Sequence, residues 1–207
     1  MRCTEVLGIR ERREKEKIEL KNKIITAAEE LFAEDGYQNI SMRKIADKIE
    51  YSLPTIYQFF KNKADILFHI YNKNNGRLLN IFSEISDEQC SSMEKLKRMS
   101  QAYVNFALKN PNYYELAYMS NVLRYEENLV YHDTDSSGFR TYDILLNTIK
   151  CCKEQGNFKG KDVEIISQCL WAGIHGLTSL FIVHTEFPWK DKKQLIDSMI
   201  NSLINNG

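Results

Sequence analysis

The sequence predicts an all-α protein: a small three-helix domain over residues 1–63, then a larger helical bundle over residues 64–207. Three observations predict it. Nine glycines and three prolines in 207 residues are too few breakers for a chain of many strands and turns. Apolar residues recur at three- and four-residue intervals along most of the chain. No stretch alternates apolar with polar residues as a half-buried strand would, and no internal repeat or low-complexity segment interrupts the pattern.

The first helix is expected from Glu11 to Glu34, with Ile18, Ile24 or Ile25, Ala28, Leu31 and Phe32 on its apolar side and Gly36 as its stop. Its early part carries Glu11–Lys15 and Glu19–Lys23 four residues apart, the pattern of an exposed, charge-laced helix. Two short helices follow, Met42 to Ile49 and Leu53 to Phe59, each preceded by a capping serine, Ser41 and Ser52. A fourth begins after Asn62, with Asp65 three residues on in capping-box style, and runs towards Phe82. Longer apolar helices are then expected at about 92–109, 111–120, 137–155, 161–185 and 190–204. Asn110-Pro111, the polar stretch Tyr131 to Gly138, Gln155-Gly156 and Phe187-Pro188 separate them.

Hydrophobic residues make up 43% and charged residues 27%, enough apolar surface for a packed core. The 28 basic and 28 acidic residues cancel; residues 1–63 hold 13 and 11 of them, leaving 15 and 17 for the rest. That balance excludes a nonspecific nucleic-acid coater and confines any DNA contact to a local patch. Five cysteines (Cys3, Cys90, Cys151, Cys152, Cys169) show neither zinc-site spacing nor a disulfide framework, and read as reduced thiols, with a redox switch at the adjacent Cys151 and Cys152 as the alternative. The four histidines lie at no ligand spacing, so no metal site and no cofactor are expected. The N-terminus has no apolar leader, and the longest apolar run, Leu177 to Val183, is far short of the ~20 residues of a membrane span. A cytoplasmic protein without a membrane partner is expected.

Residues 41–67, SMRKIADKIEYSLPTIYQFFKNKADIL, have the layout of a helix-turn-helix. Ala46 is small where two helices must cross, and Ile45, Ile49 and Ile56 supply the faces that hold them together. Ser52, Leu53, Pro54 and Thr55 then fall on the leading turn of the second helix, the end that meets base edges in the major groove. Pro54 is tolerated there because a first-turn N–H has no helical partner. Tyr57 offers a hydroxyl to a phosphate and Gln58 an amide to an adenine edge. Arg43, Lys61 and Lys63 surround this surface with cations.

From about Ile24 to Leu67 the residues resemble the DNA-binding domain of the tetracycline-repressor (TetR) family. Three pieces carry the resemblance: the helix end from Ala27 to Tyr37, the I-S-M-R-x-I-A core from Ile40 to Ala46, and P-T-I-Y-x-x-F (Pro54 to Phe60) followed by K-N-K-A-D. The resemblance implies that Ser41, Met42 and Arg43 lie near the DNA backbone and groove edge. It further implies that Leu53, Pro54, Thr55 and Gln58 face bases and that Tyr57 and Lys63 clamp phosphates. Glu50 departs from the pattern, standing in the turn where the family usually carries glycine. If that position is left-handed, glutamate costs about 1–2 kcal/mol there.

Tyr103 to Met119 together with Trp171 to Leu180 resemble a C-terminal subclass of the family marked by a tryptophan and a His-Gly pair. At about 100° per residue, Trp171, His175, Thr178 and Ile182 share one face of their helix, and Gly173, Leu177, Leu180 and His184 the opposite one. A helix apolar on both sides is sandwiched between layers. One layer is expected to be a ligand pocket with Tyr103, Phe106, Tyr114, Tyr118, Trp171, His175 and Thr178. The other is expected to be a homodimer interface with Gly173, Leu177, Leu180 and His184, joined by Leu195 and Met199 of the last helix.

These readings converge on a dimeric, sequence-specific DNA-binding regulator, a ligand-responsive repressor of operator DNA with a small apolar or amphipathic effector. Two other classes compete: an all-α small-molecule carrier or enzyme, and a helical protein-interaction module that does not bind DNA. No nucleophile elbow, phosphate loop, metal motif or paired carboxylates supports catalysis.

Overall fold

In the computed structural model, residues 2–119 and 136–205 are described, and among them the chain forms nine α-helices and no strand. They are α1 (Arg2–Asn39), α2 (Met42–Ile49), α3 (Leu53–Tyr57), α4 (Lys63–Asp87), α5 (Ser92–Lys109), α6 (Pro111–Tyr114), α7 (Ser137–Glu154), α8 (Val163–Val183) and α9 (Lys192–Asn205). The last turn of α6 widens into a π-helical turn, Glu115–Met119. The end of the expected 111–120 helix and most of the expected break from Tyr131 to Gly138 lie outside the described residues.

The caps expected from the sequence are in place. Ser41, Ser52 and Asn62 each accept a hydrogen bond from the backbone N–H three residues on, at the starts of α2, α3 and α4. Gly36, at φ 72° and ψ 167°, breaks α1 where a stop was expected. Upstream, α1 starts at Arg2 instead of Glu11, and its solvated turns carry the pairs Arg12–Glu16 (3.0 Å) and Lys15–Glu19 (4.0 Å). By contrast α3 stops at Tyr57, two residues early. The Gln58 and Phe59 N–H groups bond only three residues back, at 3.2 and 3.0 Å, as the chain tightens to send Phe60 into the core.

Two hydrophobic cores form. The N-terminal one gathers Ile24, Ala28, Ile45, Ile56 and Phe60; the C-terminal one gathers Leu96, Met99, Ile149, Leu170, Phe181 and Ile200. Helix α4 passes through both, giving Ile66, Leu67, Ile70 and Tyr71 to the first and Leu78, Phe82 and Ile85 to the second. Between these runs lie two buried polar residues, Asn74 and Asn75. The α6 segment is also split: Tyr113 and Leu116 join the N-terminal core and Tyr114 the C-terminal one.

Helix α8 is long and apolar enough, by length and composition, to cross a membrane, which the short run Leu177 to Val183 did not suggest. Its face of Ile166, Ser167, Leu170, Ile174, Thr178 and Phe181 is buried within the bundle. A Cβ at Gly173 would stand 2.6 Å from Met199 Sδ, so that glycine admits α9 of its own chain. Leu177, Leu195 and Met199, expected with Gly173 at a partner subunit, also pack against their own core, while Leu180 and His184 stay exposed.

Glu50 closes α2 at φ 61° and ψ 38°, so the position does require the left-handed conformation. Its N–H reaches the carbonyls of Ala46 and Asp47, the pairing that turns the chain towards α3. Glu50→Gly relieves the Cβ strain but adds freedom to the unfolded chain. A net stabilisation of about 0.5–1 kcal/mol is expected, read as a raised urea midpoint. An unchanged or lowered midpoint would show that the glutamate is unstrained.

Candidate functional site

The tip of the helix-turn-helix is built by caps and by what is left over from packing. Ser41 and Ser52 spend their hydroxyls on α2 and α3, and Ser52 Oγ also lies 2.8 Å from Thr55 Oγ1. Met42, expected beside the DNA, is buried in the N-terminal core. Leu53 is half-buried against the same core. What remains facing solvent is Arg43, Pro54, Tyr57, Gln58 and Lys61. Lys44 and Lys48 are bound to Asp35 and Glu30 of α1, each at 3.1 Å, and Lys63 donates to the Tyr37 carbonyl at 3.0 Å. Among the described residues Arg43 and Lys61 have no ion-pair partner, which leaves their charge for an anion.

The bundle holds two adjoining cavities. The inner one, about 60 Å³, lies among Asn75, Leu78, Phe82, Ser100, Tyr103, Leu145 and Ile174. The outer, about 510 Å³, is bordered by Tyr71, Phe139, Glu164, Gln168 and Ala172. Tyr118, Gly138, Tyr142 and Trp171 line both. Of the residues expected in a pocket, Tyr103, Tyr118 and Trp171 are therefore on a wall. Phe106, Tyr114, His175 and Thr178 are not among the lining residues, and Thr178 is buried with its hydroxyl on the Ile174 carbonyl at 2.7 Å.

Behind the wall, Tyr103, Tyr114, Tyr118 and Trp171 surround His175, with ring centroids 4.4 to 5.8 Å from the imidazole. Tyr114 donates to the His175 carbonyl at 3.0 Å. Its single proton is then used, so the Tyr114 oxygen can only accept from Nδ1, 3.2 Å away, while the Tyr103 hydroxyl lies 3.1 Å from Nε2 and 3.3 Å from Nδ1. Burial keeps the ring neutral, holding His175 down to about 4 and pushing Tyr114 up to about 12.

The polar wall residues Asn75, Ser100, Thr141 and Tyr142 escaped sequence reasoning. One signal was available: Asn75 interrupts the stripe Leu67, Tyr71, Leu78, Phe82 on α4, where an apolar residue belongs. Among the described residues no cysteine lines either cavity. Burial pushes the Cys152 thiol up to about 12, away from reactivity.

Residues 24–70 match the family described as bacterial regulatory proteins, tetR family, and residues 96–203 match the tetracyclin repressor-like C-terminal domain. The chain is similar to an HTH-type transcriptional regulator of Staphylococcus aureus, 28% identical over 149 residues that cover 65% of this chain and 80% of the relative. It is also similar to the fatty acid metabolism regulator protein of Bacillus subtilis, 26% identical over 183 residues covering 87% and 90%. Among solved structures, the regulator FadR from Bacillus subtilis in complex with stearoyl-CoA has the same fold. It superposes with a TM-score of 0.70 at 24% identity, covering 89% of this chain and 98% of that one.

The neutral imidazole makes stability depend on pH. His175 titrates at about 4 in the fold and near 6.5 when unfolded, so between those values the unfolded chain holds more protons and stability rises with pH. Lowering the pH from 7 to 5 is expected to cost roughly 2 kcal/mol through this residue. His175→Phe should remove that part of the slope in urea melts at the two pH values. An identical slope in the variant would show that His175 is not held neutral.

Proposed function

The chain belongs to the TetR family of helix-turn-helix transcriptional regulators, and we propose that it represses transcription by holding an operator as a homodimer until an acyl ligand enters its bundle. It is a DNA-binding regulator and not an enzyme. We take residues 1–63 as the reading head and residues 64–207 as the sensor, with α4 common to both. As a regulator of operators it acts in the cytoplasm, where bacterial DNA lies.

The observation that carries the ligand-responsive reading is the run of α4 from the helix-turn-helix core into the cavity wall. A ligand that displaces α4 moves the reading head with it. The acyl class is supported by the names of two similar proteins, the fatty acid metabolism regulator and FadR in complex with stearoyl-CoA. An aromatic and aliphatic wall with a few polar groups fits such a chain. Trp171, with His175 and Gly176, is taken as the signature of the sensor subclass, supported by Trp171 on the wall and His175 just behind it.

At the DNA, Pro54, Thr55 and Gln58 read bases and Tyr57, Lys61 and Lys63 hold phosphates, with Arg43 at the groove edge and Ser41 and Ser52 holding the helix starts. The dimer forms on the outward face of α8, where Ile165, Leu180 and Val183 are 63%, 43% and 55% exposed. Cys169, Ala172 and Gly176 continue that face at helical spacing, and His184 ends it. Paired helices of this kind form four-helix interfaces between two-fold related subunits.

One gel-shift series tests the reading, using an operator selected from random duplexes and titrated with salt. Gln58→Ala should relax preference at particular bases by ~1–3 kcal/mol. Lys61→Ala should weaken all sequences alike and lower the salt slope by roughly one. Gly176→Arg, at a position with open space around it, should give monomers that lose tight binding because each grips one half-site. Equal losses on cognate and scrambled DNA for Gln58→Ala, or a dimer of unchanged affinity for Gly176→Arg, would contradict these roles.

A further inference from the structure

Asn75 is 3% exposed, and its two amide atoms have unequal fates. Oδ1 accepts from the Tyr113 hydroxyl at 2.9 Å, whereas Nδ2 has no hydrogen-bond partner among the described residues. A buried amide N–H left unpaired costs about 1–3 kcal/mol, so a donor held this way is a place where an acceptor belongs.

The surroundings say where that acceptor enters. Gly138 borders both cavities, and a Cβ built on it would lie 4.0 Å from Asn75 Nδ2 and 3.6 Å from the Tyr71 hydroxyl oxygen. The glycine thus leaves a neck between the cavities with the unpaired donor beside it. Past the neck the wall is Leu78, Phe82, Leu145 and Ile174. Among the described residues no lysine or arginine lines either cavity, and the acidic Glu164 stands on the outer one. His175 adds no positive charge, since burial keeps it neutral.

We propose that Asn75 Nδ2 donates to the uncharged carbonyl oxygen of an acyl ligand that passes the Gly138 neck, so that the site takes thioesters or esters and rejects free carboxylates. This rests on the acyl reading above and adds to it the group that is recognised. A carboxylate at the neck would be a desolvated charge without a counter-ion, whereas a carbonyl needs only the one donor. The same amide is bonded through Oδ1 to Tyr113 of the N-terminal core, so the anchor is in contact with the reading head.

The test compares matched pairs of acyl-CoA and S-alkyl-CoA, from acetyl to stearoyl, by calorimetry on the full-length protein. The paired probes differ only in the carbonyl. The acyl-CoA is expected to bind about tenfold tighter than its thioether partner, with the free fatty acid weaker than either. Asn75→Leu should abolish that preference. Gly138→Leu, whose longer side chain fills the neck, should weaken both probes while leaving the thermal midpoint near that of the wild type. Equal affinity for the paired probes in the wild type would overturn the carbonyl anchor and leave the acyl reading standing. Binding of neither probe at any length would overturn the acyl reading and the anchor with it.

Discussion

The structure depends on α4 belonging to two hydrophobic cores at once. Its first turns bury Ile66, Leu67 and Ile70 against the helix-turn-helix, and its last ones bury Leu78, Phe82 and Ile85 in the bundle. Each such side chain contributes roughly 1.5–3 kcal/mol on burial, so neither end can let go cheaply. A continuous helix is stiff along its length. The orientation of the reading head is therefore tied to the packing of a sensor two to three turns away, without a flexible linker between them.

A second tie runs through the Asn110-Pro111-Asn112-Tyr113-Tyr114 segment. Asn112 Nδ2 bonds the carbonyls of Phe32 and Ala33 in α1, just before the Gly36 break, at 3.0 and 2.9 Å. Tyr113 bonds Asn75 on α4, and Tyr114 bonds the His175 carbonyl on α8. Three successive side chains thus reach the head, the connecting helix and the sensor helix. The ion pair of Lys73 with Glu29, at 2.6 Å, fastens α4 to α1 as well. Beside these ties a cleft of about 410 Å³ lies between α1, α4 and the segment's start.

Much of this was legible in the sequence, because the signals were local. Capping residues, Gly36 and the Asn110-Pro111 break mark helix ends through backbone chemistry that needs no partner. The position of Glu50 was readable as left-handed only through the resemblance, since nothing in glutamate itself predicts that conformation. The parts that were not legible depend on contacts between distant residues. Met42 follows a capping serine and looks exposed, yet its side chain falls on the buried face of α2. Gly173 looked like a contact with another subunit because a glycine reports close approach but not what approaches; the neighbour is Met199 of the same chain. Thr178 shares a helix face with Trp171 and His175, but it turns its hydroxyl back on its own helix and is not among the residues lining the cavities. Asn75 was passed over because an amide in an apolar stripe becomes informative only when its unpaired atom is seen beside a cavity.

If α4 and the Tyr113–Tyr114 segment make head and sensor one mechanical unit, ligand and operator must each change the other's affinity by the same factor, as linkage requires. The direct measurement is reciprocal: operator affinity with and without a saturating acyl-CoA, and acyl-CoA affinity with and without saturating operator. Both are expected to fall by a common factor of roughly 5–150, with Tyr113→Phe reducing that factor. An acyl-CoA that binds in the cavity while both affinities stay unchanged would contradict the coupling of head and sensor through α4.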